Sequence, residues 1–138
     1  MPDSFQLEIV TPEKMVVRDN AESVQIPGLN GYLGILPGHA PLITELGAGE
    51  IAYRANGQSH RFAVAWGFAE VLQDRVTVLA ETVERADEID VGRAQRALAS
   101  AEESIKSAQT ADEFSRATAK IRVAQARIEV AQKKDSPA

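Results

Sequence analysis

Residues 81–94 read Glu81-Thr82-Val83-Glu84-Arg85-Ala86-Asp87-Glu88-Ile89-Asp90-Val91-Gly92-Arg93-Ala94, and within this stretch the hydrophobic period of the chain changes. Upstream, Phe5-Leu7-Ile9, Val24-Ile26, Ile51-Tyr53, Phe62-Val64 and Val76-Val78 repeat every second residue, placing one side of an extended chain against a core. Downstream the alternation gives way to two long alanine-rich stretches with helical spacing. The change divides the chain into residues 1–86 and 87–138.

Six of the seven aromatic residues precede residue 87, so a packed core belongs to the first part. Turn signals recur at close intervals there, as in an antiparallel β-sandwich of about ten short strands. Asn56-Gly57 is the clearest turn. A type I′ loop at that point sets Tyr53 opposite His60 and Ile51 opposite Phe62. Gln73-Asp74 separates two further runs, and the glycines and prolines between residues 27 and 41 make a folded loop with short extended pieces.

The second part reads as an antiparallel two-helix hairpin. Its first helix is expected from about Glu88 to Ser107, with Asp87 as N-cap and an apolar stripe of Ala94, Ala97, Leu98, Ala101, Ile105 and Ala108. Thr110-Ala111-Asp112-Glu113 is a capping box that opens a second helix reaching about Lys133. Phe114, Ala117, Ile121, Ala124, Ile128 and Ala131 step by three and four, as one seam of a coiled pair does. Only Leu98, Ile105, Phe114, Ile121 and Ile128 are large among the two stripes. Alanines let backbones approach closely but bury little area, so the hairpin needs a partner surface and can exchange it at modest free-energy cost.

Composition narrows the function classes. The chain has no cysteine, which removes disulfide frameworks and thiolate metal sites. No run approaches the roughly 20 apolar residues of a membrane span, and the start lacks a basic leader, so a soluble, unprocessed chain is expected. Residues 1–85 carry 11 acidic and 6 basic side chains, against 9 of each in the remainder. An acidic first domain argues against nucleic-acid binding, which needs a basic face.

No catalytic constellation is present: His39 and His60 are the only histidines, and neither has triad or metal-site neighbours in the sequence. Arg116, Lys120, Arg127 and Lys134 fall on one side of the second helix as a basic stripe suited to acidic protein segments or phosphate, although charged faces are ordinarily just solvated. Glu84, Asp90 and Arg93 gather where sheet gives way to helix. Charged residues there are ordinarily caps, yet an arginine with carboxylates can also hold a nucleotide. Tyr32-Leu33 and Trp66-Gly67-Phe68 offer edges for a partner, with core packing as the default.

The segment Gly31-Tyr32-Leu33-Gly34-Ile35-Leu36-Pro37-Gly38-His39-Ala40-Pro41-Leu42 resembles the loop-and-strand signature of the epsilon subunits of F-type ATP synthases. Val10-Thr11-Pro12, Gly67-Phe68-Ala69-Glu70-Val71, Asp74-Arg75-Val76-Thr77-Val78-Leu79 and the run from Glu84 to Asp90 resemble that family in the same order. The resemblance implies a non-catalytic rotor subunit of the central stalk that requires no cofactor. Its sandwich would bind the gamma subunit and the ring of c subunits, with Leu33, Ile35, Leu36, Pro37 and His39 at the rotor interface.

It also implies that the hairpin is a regulator, which permits turnover when folded on the sandwich. Extended toward the alpha and beta subunits, it would obstruct ATP hydrolysis through the basic stripe. Membrane association would come only through the complex, on the cytoplasmic face of a bacterial inner membrane or the stromal face of a thylakoid. Ile89-Asp90-Val91-Gly92-Arg93-Ala94, with Glu84 before it, resembles the ATP motif of some bacterial members, whose second helix carries two arginines four apart. Here Arg127 matches one and Val123 occupies the other, so the implied site of Glu84, Ile89, Asp90, Arg93, Ala94 and Arg127 would bind regulatory ATP weakly. A free-standing β-sandwich module that senses a nucleotide or another protein is the alternative, and a small hydrolase using His39 is a distant third.

Overall fold

The computed structural model describes residues 3–133. Strands β1 (Phe5–Val10), β2 (Met15–Ala21), β3 (Ser23–Gly28), β4 (Gly31–Ile35), β5 (Leu42–Ala55), β6 (Gln58–Val71) and β7 (Arg75–Arg85) are followed by a 3-10 turn (Ala86–Glu88). Two helices follow among the described residues, α1 (Val91–Lys106) and α2 (Ala111–Gln132). The strands form one sheet in the order β2-β1-β7-β6-β5-β3-β4. All neighbours are antiparallel except β1 and β7, which run parallel.

The sheet folds back on itself as a sandwich. The Tyr53 hydroxyl on β5 donates to Asp19 Oδ2 on β2 at 3.1 Å, although β1, β7 and β6 lie between those strands in the sheet order. Leu7, Ile9, Val24, Ile26, Ile51, Val76 and Val78 fill the space between the layers. Asn56 and Gly57 adopt φ of 54° and 74°, as a type I′ turn requires, and set Tyr53 opposite His60 and Ile51 opposite Phe62.

Seven strands stand where about ten short ones were expected, because β5, β6 and β7 each run through a shared kink. Leu46 pairs with Gly67 and Ala48 with Ala65, while Gly67 pairs with Ala80 and Ala65 with Thr82. Gly47, Trp66 and Glu81 are thereby skipped. At the kink Trp66 has φ of 60° and Gly67 of 125°, and a Cβ on Gly67 would lie 1.9 Å from the Leu79 carbonyl oxygen. The core side switches parity across it: Phe62 and Val64 point inward before the kink, Ala69 and Val71 after it. The opposite side of the same strands then presents Glu50, Ala63 and Glu84 outward.

The first helix begins later than Asp87 predicts. Arg85 pairs with Asp87 and Glu88 around the 3-10 turn, and Ile89 returns to extended backbone, placing its side chain against Ala63 and Val130. Asp90 is the N-cap, its Oδ1 accepting from the Arg93 N–H at 3.0 Å. In α2, Thr110 Oγ1 accepts from Glu113 N–H at 3.0 Å and Glu113 Oε2 from Gln109 N–H at 2.9 Å. The box therefore reaches one residue upstream of the cap. Ala94, Ala101, Ala117 and Ala124 are buried in the hairpin, whereas Phe114, expected in the seam, is 53% exposed near the turn. A second face of α2, carrying Ala126 and Val130, is also buried, and it rests on the sheet.

Candidate functional site

Three surfaces carry the chemistry, and the first is apolar. On the outer face of the sandwich Met15 pairs with Val10, Val10 with Leu79, and Leu79 with Phe68, in register across β2, β1, β7 and β6. Phe68 in turn pairs with Glu45 on β5, two residues from Ile43 on the same face. Ile43, Phe68, Leu79 and Met15 are all exposed, Ile43 by 72%. A row of large apolar side chains across four strands, with Ile43 beside it on the fifth, is a protein-binding feature. Phe68 was legible as a candidate edge, but its neighbours in the row were not, because only the sheet register aligns them.

The glycine-rich segment closes one end of the sandwich. Gly38, at φ of 84°, donates its N–H to the Gln73 carbonyl in the β6–β7 turn, and His39 donates its own to Leu36. The His39 ring bonds through Nδ1 to the Ala40 carbonyl at 2.8 Å and orders the loop. Among the five residues assigned to the rotor interface, Leu36 is 64% exposed, while Leu33 packs partly on the core and Ile35 lies inside it at 2% exposure. Ile35 thus holds the segment in place from within.

The third surface joins the hairpin to the sheet. Glu50, Ala63 and Glu84 are direct neighbours across β5, β6 and β7. Over them lies α2, with Val130 on Ala63, Lys133 Nζ 3.1 Å from Glu50 Oε1, and Arg127 in a two-pronged pair with Glu84 at 2.7 and 3.2 Å. Arg61, whose side chain is 12% exposed, donates to Glu50 Oε2 at 3.2 Å and to the Val130 and Lys133 carbonyls at 2.9 and 2.7 Å. It therefore satisfies backbone acceptors that the end of α2 leaves unpaired. Sequence reasoning missed Glu50, Arg61 and Lys133 as a group.

The six residues expected to hold nucleotide divide accordingly. Glu84 and Arg127 are paired with each other, Asp90 caps α1 at Arg93, Arg93 itself is exposed, and Ile89 and Ala94 are buried. Between the two helices and Trp66 runs a groove of about 360 Å³ lined by Ser100, Ser104, Lys120, Val123 and Arg127. It offers Lys120 and two hydroxyls to an anionic ligand, with Arg127 at its edge paired to Glu84 and Val123 contributing an apolar wall. The basic stripe is split: Arg116 pairs with Asp112, Lys120 is exposed, Arg127 turns to the sheet, and Lys134 lies outside the described residues.

His60 stacks on Tyr53 with ring centroids 4.7 Å apart. Burial first, then the Asp19 charge and its hydrogen bond, push the Tyr53 hydroxyl pKa up to about 12. No group of metal-ligating side chains occurs among the described residues. No helix among them is long and apolar enough to cross a membrane.

Comparison with known proteins adds to this geometry. The family model for the ATP synthase delta/epsilon chain beta-sandwich domain matches residues 4–86, and that for the long alpha-helix domain matches residues 87–132. The ATP synthase epsilon chain of Koribacter versatilis (strain Ellin345) is 63% identical over 107 residues, covering 78% of this chain and 75% of the relative. That of Nitratidesulfovibrio vulgaris (strain DP4) is 42% identical over 130 residues, 89% of this chain and 97% of the relative. Among solved structures, a chain of the Euglena gracilis mitochondrial ATP synthase OSCP/F1/c-ring assembly superposes with TM-score 0.82 at 18% identity. The match covers 91% of this chain and 79% of that one. A chain of the Tetrahymena thermophila mitochondrial ATP synthase central stalk and c-ring gives 0.71 at 12% identity, covering 93% and 96%.

Proposed function

Because the chain belongs to the ATP synthase delta/epsilon family, we propose that it is a non-catalytic subunit of the central stalk, linking the gamma subunit to the c-ring and restraining ATP hydrolysis through its hairpin. The observation that carries this reading is the row of exposed Met15, Leu79 and Phe68, with half-buried Val10 within it and exposed Ile43 beside it, a surface made to be covered by another protein. Leu36, Pro37 and His39 at the end of the sandwich suit the second contact, with the c-ring. The subunit is then peripheral, held at the cytoplasmic face of a bacterial inner membrane, or the stromal face of a thylakoid, by its partners alone.

The hairpin supports the regulatory half of the proposal. Its attachment to the sandwich is narrow, made by one end of α2 through Ile89, Ala63, Val130 and a few ion pairs. Such an attachment is exchangeable, and the extended form would bring Arg116 and Lys120 to acidic segments of the alpha and beta subunits. The decisive experiment is co-purification with gamma, followed by hydrolysis assays with the hairpin crosslinked to the sandwich. A stable complex whose hydrolysis is uninhibited after crosslinking is expected; a monomer that never joins gamma overturns the reading.

A nucleotide-sensing role is favoured by one observation, the 360 Å³ groove bearing Lys120 and Arg127. ATP bound there would hold the two helices together and the hairpin folded. Calorimetric titration with ATP, with Lys120→Ala as control, tests this. Weak binding abolished by the substitution is the expected result.

A further inference from the structure

The docking of the hairpin is unusual in where its specificity resides. The apolar contact between hairpin and sandwich is small: Ile89 and Val130 meet Ala63, with Ala86 and Ala131 beside them and Ala126 over the same strands. None of these contacts fixes a helix in register, since alanine and valine pack nearly as well one turn along. The polar contacts do fix it. Glu84, Ala63 and Glu50 lie in one row across three adjacent strands, and Arg127, Val130 and Lys133 follow one another at intervals of three along α2. Each rung of the row meets one residue of the helix.

We propose that Glu84, Ala63 and Glu50, with Arg61, form a seat that recognises a helix ending in a basic–apolar–basic pattern spaced by three, and that this charge register selects the folded hairpin. Arg61 completes the seat by reading the helix end. Its guanidinium, anchored on Glu50, meets the Val130 and Lys133 carbonyls, which are acceptors only where a helix stops. A helix continuing past this point would have those carbonyls paired internally and would present nothing to Arg61. The seat thus distinguishes the terminus of α2 from its middle, where Arg116 and Lys120 also supply cations.

Release leaves each side tolerable. When α2 departs, Glu50 and Arg61 keep each other, and Glu84 and Arg127 return to water. The helices retain their own N-caps, Asp90 on Arg93 and Thr110 on Glu113, but the end of α2 loses the Arg61 donors of its last carbonyls and frays on release. This deepens the regulatory reading above and rests on it only for its consequence in the assembled enzyme.

The test uses the full chain and hydrogen–deuterium exchange of residues 124–133, with exchange in β5 and β6 as the measure of an intact sandwich. Glu84→Arg and Arg127→Glu should each lower protection in that segment at least tenfold while leaving the strands protected. Combining them, which restores an opposite pair in reversed order, should recover most of the loss. Glu84→Gln and Arg127→Gln serve as milder variants should a reversal disturb folding. Unchanged protection in the single variants, or a double variant as exposed as either single, overturns the seat. Because the readout needs no gamma and no hydrolysis, a seat that holds in a chain without inhibitory activity would refute the regulatory reading and leave this one intact.

Discussion

Arg127 Nε lies 2.7 Å from Glu84 Oε1 and Arg127 Nη2 lies 3.2 Å from Oε2, so the cation that also borders the inter-helix groove is already held by a carboxylate of the sheet. A phosphate entering the groove has to share that guanidinium with Glu84. Lys120 is the other cation at hand, and Val123, between them on α2, offers no charge.

Val123→Arg is therefore expected to tighten ATP binding. An added charge-assisted contact contributes about 1.5 to 3 kcal/mol, or more than tenfold in affinity. Calorimetry on the full chain measures it, and an affinity equal to the parent's would show that the groove does not take the phosphates.

Phe68→Glu and Leu79→Glu should abolish stable association with gamma while changing the melting temperature by only a few degrees. Both side chains are more than half exposed, so the free subunit loses little burial, whereas the interface acquires an unpaired charge. Pull-down and thermal denaturation of the same preparations separate the two effects.

Reversing the two exposed cations, Arg116→Glu with Lys120→Glu, should weaken inhibition of hydrolysis without loosening the docked hairpin, since neither belongs to the Glu84, Ala63 and Glu50 contact. Inhibition by the parent should also fade with added salt, because exposed pairs are screened within about 10 Å at 0.1 M. Inhibition by the double variant as strong as the parent's would exclude these residues from the blocking contact.

Gly67→Ala should cost about 3 kcal/mol or more. Its φ of 125° is a region that side chains rarely adopt, and the added methyl would overlap the Leu79 carbonyl in the neighbouring strand. Urea denaturation measures the loss. The same substitution should disturb Trp66, the single tryptophan, whose fluorescence then reports the kink directly.

Tyr53 makes the sandwich sensitive to alkali. Its folded pKa of about 12 exceeds the unfolded value near 10, so between these values the unfolded chain has lost a proton that the folded chain keeps. The associated stability is complete below pH 10 and is lost as pH rises toward 12. Melting temperatures from pH 9 to 12 should fall more steeply for the parent than for Tyr53→Phe.

The division into sandwich and hairpin is legible because period and composition change together near Arg85. The turn at Asn56-Gly57 and the pairing of Tyr53 with His60 follow from local chemistry alone. The strand count is not, since the kink at Trp66-Gly67 reverses the inward parity of β6 without ending it, and each half reads as a strand of its own. Ile89 illustrates the same limit in the helical part. Acidic residues suggested a helix start at Asp87, but burial of Ile89 against Ala63 holds the backbone extended and moves the cap to Asp90.

The site was half visible. Glu84 and Arg127 stood out through resemblance, yet their partnership depends on how α2 lies on the sheet, which no local pattern encodes. Glu50 and Arg61 were within reach: the register that opposes Tyr53 to His60 also places Ala52 opposite Arg61 and Glu50 opposite Ala63, on the side facing away from the core. Two charges and two alanines on that side of long strands are the signal that something polar and closely fitted covers them.

The parallel contact between β1 and β7 has a consequence for biosynthesis. The first strand finds one of its two neighbours only in the last, so a growing polypeptide cannot close its sheet until residue 79 has left the ribosome. Long-range closure of this kind is slow compared with helix formation. Helix α2, which covers Glu84, Ala63 and Glu50, emerges only after it, so the base has time to mature before its helical cover arrives.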